Sequence, residues 1–372
     1  MQNLKFILKP KSSIISDFQS DTIFGHICWA IKYLDGEDKL KEFLERHQIE
    51  PPLLLSSGFP RIRTNGKTIE FLPKPILRPL SLDEEETLFK NFYKDTKKEK
   101  VLFSSALKNL KKQKYVSLNA FEKIKDNLSY SELYKLVFDN EICPQNFIPK
   151  PAECRRNYYE CPLLNYEVDI KNCPKKITIT KTEEVYHNTK NRLTDRVEKE
   201  GGLFSTRNIF FSENVDIVIY IQKNNYFEED NLKKVFEFIS KNGFGADKST
   251  GKGRFEIEVE KDFNLPKANN PNAFLTLSNY YPKNGDPTDG FYETVVKFGK
   301  LGGDWAKSKE KTWKTKNTFY KMPIIFIAPG GVFKTEEIKQ YYGCLIPNVH
   351  IDERIVQYGY TISIGVKIKW KN

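Results

Sequence analysis

Thirteen residues, Gly243-Phe-Gly-Ala-Asp-Lys-Ser-Thr-Gly-Lys-Gly-Arg-Phe255, concentrate four glycines, two lysines, an arginine, a serine and a threonine. Glycines let a backbone bend freely and come close to a ligand. Exposed N–H groups beside Lys and hydroxyl side chains make a concavity suited to phosphate oxygens. The segment therefore reads as an anion cradle. Its flanks narrow the choice of anion. Leu232, Val235, Phe236 and Ile239 recur at helical spacing, with Gly243 placed to end that helix. Beyond the loop, Phe255, Ile257 and Val259 alternate with Glu256, Glu258 and Glu260, the period of a half-buried strand. Helix, loop, strand is the reverse of the order in a P-loop or dinucleotide fingerprint, where a helix N-terminus faces the phosphate. Five residues separate Gly245 from Gly251, where a Walker A motif has four, and Gly253 stands where the magnesium-binding hydroxyl belongs. Both counts speak against nucleotide triphosphatase chemistry.

Composition points to a polyanion. Sixty Lys and Arg against 49 Asp and Glu leave a net charge of +11 and a pI near 9.0, a balance that suits nucleic acid or a membrane surface. The longest mostly apolar stretch, Met322 to Phe333, is broken by Pro and Gly and is far shorter than the ~18–20 residues of a membrane span. The opening MQNLKFILKPKSS has no signal-peptide core. Six cysteines in 372 residues are too few for a disulfide scaffold, so a cytoplasmic location is expected. At this length two domains are expected.

The elements around the loop have a recognisable order. Leu4, Phe6 and Leu8 mark a first strand. Ser20 and Asp21 offer caps to an apolar helix ending at Gly36. Leu53–Leu55 forms a short second strand, and VDIVIYI (215–221) a buried third one, followed by the helix, the loop and the last strand. The order is β-α-β, a long insertion at about 60–210, then β-α-β, which is that of a split ferredoxin-like domain over 1–265. The insertion is Lys- and Glu-rich, with eight lysines between Lys94 and Lys114, best read as a solvated helical face. From 266 to 372, alternating Tyr/Ile/Val runs separated by Gly and Pro predict a second, β-rich domain. The fold class expected is α+β.

Three segments, QSDTIFGHICWAI, HNTKNRLTDRVEKEGGLFSTRNIFF and GFGADKSTGKGRF, in this order, resemble the RAMP superfamily of CRISPR-associated proteins. Within it they are most similar to the fourth-subunit family of type III-A (Csm) effector complexes. The likeness spans most of residues 1–260. It implies paired ferredoxin-like (RRM-like) domains, the second degenerate, and no catalytic activity, cofactor or metal. It implies a subunit that grips the 5′ handle of the CRISPR RNA and bridges the large polymerase/cyclase-like subunit to the first repeating backbone RAMP subunit, in antiviral defence.

Carried onto this sequence, the glycine-loop residues are Gly243, Gly245, Lys248, Ser249, Thr250, Gly251, Lys252, Gly253 and Arg254. From the first helix come Ser20 and His26, and from a protruding hairpin or "thumb" Asn191, Arg192 and Arg196. Ala246 stands where the family often has another glycine. Arg61, Arg63 and Lys74, in PRIRTNGKTIEFLPKP, are further phosphate candidates. A handle presented single-stranded offers splayed bases, phosphates and 2′-hydroxyls to such groups.

Two other chemistries compete. A metal-independent endoribonuclease of the same superfamily needs a base for the 2′-hydroxyl and an acid for the leaving oxygen; His26 is the candidate base, against a structural or RNA-binding histidine. Asp21 could orient it, although Ser/Asp before an apolar run is first a cap signature. A zinc-stabilised module would use Cys143, Cys154, Cys161 and Cys173, but their intervals of 10, 6 and 11 residues are not the close pairs of zinc knuckles. Free cysteines are the expectation. The acidic run Asp83–Glu86 reads as a helix start.

Overall fold

A computed structural model describes residues 1–64, 66–173, 177–188, 196, 202–261, 263–306 and 319–370. The first half is built from β1 (Gln2–Pro10), α1 (Ser20–Asp35), α2 (Glu37–Ile49), β2 (Leu53–Leu55), β3 (Phe59–Thr64) and β4 (Lys67–Pro73). Then come α3 (Leu82–Phe92), α4 (Lys97–Lys111), β5 (Tyr115–Ser117), α5 (Leu118–Ile124), α6 (Tyr130–Phe138), β6 (Ile142–Cys143) and β7 (Ile148–Pro149). A two-stranded arm, β8 (Thr180–Asn188) and β9 (Leu203–Phe211), precedes β10 (Val215–Lys223), α7 (Glu229–Asn242) and β11 (Phe255–Lys261). The fold class is α+β, as expected.

Seven strands form one antiparallel sheet in the order β11-β1-β10-β3-β4-β5, with β2 also paired to β10. Period-two alternation decides its two faces. Leu4, Phe6 and Leu8 pair in register with Ile221, Ile219 and Ile217 and turn toward α1 and α7; the rings of Phe6 and Phe236 lie 4.4 Å apart. The insertion is more than a helical appendage, because β4 and β5 extend the sheet beyond β3. Its helices pack around an aromatic cluster of Phe89, Tyr93, Phe103, Phe138 and Tyr158. The acidic run starts α3 as expected, in a capping box between Ser81 and Glu84.

Beyond Asn242 the described residues contain no α-helix. A four-stranded sheet joins β12 (Ala273–Thr276) to elements that follow it: β13 (Gly290–Phe291), β16 (Val332–Lys334) and β19 (Ser363–Val366). Two ladders accompany it, β14 (Thr294–Lys297) with β15 (Ile324–Ile327), and β17 (Leu345–Ile346) with β18 (Gln357–Tyr358). This half shares its core with the first: Phe24 and Tyr358 stack at 4.6 Å, and Leu275, Leu277 and Tyr360 join the same buried cluster as Leu53 and Phe43.

Candidate nucleic-acid interface

The glycine loop has a closed root and an open crest. Gly243, at φ +84°, and Gly253, at φ +73°, face each other across the root. A Cβ on Gly253 would lie 2.1 Å from the Phe244 carbonyl oxygen, and one on Gly243 2.4 Å from that of Lys252. Only glycine permits that approach. Phe244 N–H donates to Gly253 O at 2.9 Å, while its buried ring stacks on Phe18 at 4.4 Å. The crest reverses through Asp247, in the left-handed region, and a single 3-10 turn at Lys248–Thr250. Asp247, Lys248, Ser249 and Thr250 are all exposed there, and Arg254 is exposed at the exit.

The cradle of free amides expected from the sequence is largely closed from within. Gly245 N–H donates to His26 Nε2 at 3.0 Å and Ala246 N–H to Ser16 Oγ at 3.2 Å. Gly253 N–H reaches Ser13 O at 2.9 Å, and Arg254 N–H reaches Ser12 Oγ at 2.9 Å. Those amides hold the loop in place, so anion binding falls to the side chains of the crest. The stretch Lys11-Ser-Ser-Ile-Ile-Ser16 directly after β1 is a support that sequence reasoning passed over; it stands 230 residues or more from the loop amides that its serine hydroxyls meet, and no local pattern links the two.

His26 belongs to this support. Burial, and then the nearby Lys248 ammonium, hold its pKa down at about 3. The ring is neutral near pH 7, Nε2 accepts the Gly245 N–H, and the imidazole packs on Phe244 at 4.6 Å. A general base needs a free lone pair and a pKa near the working pH. His26 has neither in this arrangement.

Lys252 joins the loop to the arm, its ammonium donating to Asn208 Oδ1 at 2.6 Å and to Thr206 Oγ1 at 3.4 Å on β9. Among the described residues the nine-residue strands of the arm pair with each other, apart from a bridge between Ile14 and Ile209. Tyr186 and Phe204 are exposed on it, and His187 stacks on Phe204 at 5.2 Å. Among the thumb candidates Arg196 is exposed, while Asn191 and Arg192 lie outside the described residues.

Four expected contacts take other positions. Ser20 is fully buried, its Oγ accepting the Asn279 N–H at 3.0 Å, which withdraws it from any RNA surface. Asp21 beside it does not cap α1, whose N-cap is Gln19. Its carboxylate instead accepts Asn279 Nδ2 at 2.9 Å, Gln357 Nε2 at 2.7 Å and the Lys297 ammonium, clasping the two halves together. Arg61 is half-buried in an ion network on the sheet face away from the helices, 3.5 Å from Glu70, 3.6 Å from Asp216 and 3.4 Å from Glu260. Arg63 Nε lies 3.2 Å from Asp216, and its Nη2 donates to Glu213 O at 2.6 Å. Lys74 donates to the carbonyls of Leu110 and Lys111 at the end of α4, at 3.3 and 2.5 Å, and burial lowers its pKa to about 8. It serves as a helix C-cap.

No helix among the described residues is long and apolar enough to cross a membrane. No curated protein matches the chain by sequence. In structure it is similar to a chain of the Csm3–Csm4 subcomplex of the type III-A CRISPR-Cas interference complex, at TM-score 0.59 and 19% identity over 98% of this chain and 99% of that one. It is also similar to a chain of the Csm1–Csm4 cassette solved with AMPPNP, at TM-score 0.55 and 17% identity over the full length of both. The model of the RAMP superfamily matches residues 17–256, the span that holds the first helix, the arm and the glycine loop, and the chain belongs to that superfamily.

Proposed function

We propose that this chain is a non-catalytic RNA-binding subunit of a type III-A effector complex. It would hold the 5′ handle of the CRISPR RNA and join the large Csm1-type subunit to the first Csm3-type backbone subunit. The observation that carries this reading is the glycine loop: a root locked by His26, Ser12, Ser13 and Ser16 presents a rigid, exposed crest with Lys248, Ser249 and Thr250 beside the arm. A preorganised cationic edge suits phosphate contacts, and the exposed rings of the arm suit stacking on unpaired bases. The similar chains solved in Csm1–Csm4 and Csm3–Csm4 assemblies support the two protein partners. Within this reading residues 1–265 are a split ferredoxin-like domain, with its outer strands beside the first in the order β11-β1-β10-β3. Residues 266–372 are its degenerate, β-rich counterpart. Lys248 and Arg254 contact backbone phosphates; Gly243, Gly245, Gly251, Gly253 and Lys252 shape the loop and tie it to the arm. Arg196, with Asn191 and Arg192, extends the same interface.

The test measures binding and cleavage of repeat-derived RNA, with and without a free 5′ handle and with no added divalent metal. The partner of the wild type is Lys248→Ala/Arg254→Ala, which leaves the internal bonds of Lys252 intact. Expected are handle-dependent binding, no cut product, and a salt slope shallower by about 1.4 in the variant, at about 0.7 for each single-strand phosphate contact. A discrete product that disappears in His26→Ala would establish the endoribonuclease instead. Equal binding with and without the handle would leave only a basic chain.

A further inference from the structure

The four central cysteines, separated by 10, 6 and 11 residues, all face one cavity. Cys143, Cys154, Cys161 and Cys173 all line one cavity of about 30 Å³, together with Lys150 and Arg156. Gln145 sits between two of them: its Nε2 is 3.5 Å from Cys173 Sγ and 4.0 Å from Cys143 Sγ, while its Oε1 accepts the Ile177 N–H at 2.8 Å. Backbone N–H groups also face the sulfurs. That of Gln145 points at Cys143 two residues earlier, and those of Leu163 and Leu164 point at Cys161. Amides aimed at sulfur from two residues downstream stabilise thiolate in the way that outer hydrogen bonds support metal ligands.

The surrounding chain gives such a site a purpose. From Lys150 to Ile179 the described backbone contains two single-turn 3-10 helices and no strand. A structureless stretch of that length is unusual inside a compact protein, and it leads directly into β8 and the base of the arm. Disulfides do not hold it, since all six cysteines are free thiols. Burial pushes the Cys143 thiol up to about 12 and raises that of Cys161, so without a counter-charge these thiols stay protonated and unreactive.

We propose that Cys143, Cys154, Cys161 and Cys173 form a structural zinc site that staples this segment at the foot of the arm. Among the described residues no group of three or more His, Cys, Asp or Glu side chains is placed to hold a metal ion, so the proposed site requires the four thiols to draw together as the ion binds. Each ligating thiol releases its proton and donates a sulfur lone pair to zinc; no electron is transferred. Four thiolates around a divalent ion leave excess negative charge, which Lys150 and Arg156 are placed to offset. A closed four-sulfur shell leaves no position for substrate and marks the site as structural.

The experiment uses the full chain purified under reducing conditions without chelator. Metal content is measured by plasma mass spectrometry, and zinc release is followed with an indicator as a mercurial titrates the thiols. About one zinc per chain is expected, released by the mercurial, lost in Cys161→Ser and in Cys173→Ser, and retained in Cys28→Ser/Cys344→Ser. If the cluster variants fail to fold, cobalt substitution of the wild type decides: intense sulfur-to-cobalt charge-transfer bands with tetrahedral d–d absorption support the site. A metal-free wild type, zinc unchanged in both cluster variants, an iron–sulfur chromophore or cobalt spectra without thiolate bands would each overturn it.

Discussion

The glycine loop and the open face of the sheet are both rich in cations, and they treat them in opposite ways. On the sheet face Lys5, Lys9, Arg61 and Arg63 stand among Glu70, Asp216, Glu256, Glu258 and Glu260, cross-strand neighbours in register that neutralise one another. On the glycine loop Lys248 at the crest and Arg254 at the exit are exposed, with the root beneath them fixed. A net charge of +11 says how many cations are in excess; strand register decides which of them remain available to a phosphate. An open sheet face is where an RRM-like domain would be expected to meet RNA through aromatic rings, and here that face is closed by ion pairs.

The comparison breaks most readily at the root of the loop. Alanine at Gly253 would place a Cβ against the Phe244 carbonyl and amide, with backbone rather than a yielding side chain as the obstacle. Gly251, at φ +86°, has open space around the same position. Gly253→Ala should therefore destabilise the protein by about 4 kcal/mol, and Gly251→Ala by only about 1 kcal/mol, the cost of a left-handed alanine. Denaturant unfolding of both variants measures this. Equal losses would mean that the root is no more constrained than the crest.

A smaller effect separates the two cation sets. Asp216 is fully buried, and burial raises its pKa despite Arg63 and Arg61 beside it. Removing Arg61 leaves that carboxylate and Glu70 with less compensation. Arg61→Ala should cost about 3 kcal/mol of stability while leaving handle-RNA affinity almost unchanged. Lys248→Ala should do the reverse. Loss of RNA affinity in a folded Arg61→Ala protein would show that the sheet face takes part in binding after all.

Much of this arrangement was legible in the sequence, for identifiable reasons. Period-two runs placed β1 and β11, a continuous apolar run placed β10, and a terminal glycine ended α1 at Gly36, because local patterning suffices there. The loop's position between helix and strand followed from the same signals. Partners distant in sequence did not. Ser20 and Asp21 looked like caps, but they contact Asn279 and Gln357, more than 250 residues away. Arg61 and Lys74 looked like free cations, and their neutralising groups arrive through sheet register and a helix end. The cysteines looked scattered because linear spacing hides a convergence that the turns between β6 and β8 create.

The smallest of these effects concerns protons, and it tests whether the loop's support is a neutral histidine. In the unfolded chain His26 takes up a proton near pH 6.5, whereas in the folded protein it does so only near pH 3. Between those values the unfolded state binds more protons, so stability falls as pH is lowered, by about 2 kcal/mol at pH 5 from this residue. His47, which burial holds at about 4, adds a loss of the same sign elsewhere in the core. His26→Gln keeps a group able to accept the Gly245 N–H but removes the titration. At pH 7 the wild type should be the more stable of the two, and the gap should shrink by about 2 kcal/mol at pH 5 as the wild type alone absorbs the penalty of His26. A gap that stays constant from pH 7 to pH 5 would mean that His26 takes up its proton equally in the folded and unfolded states, so that folding does not hold the ring beneath the crest neutral.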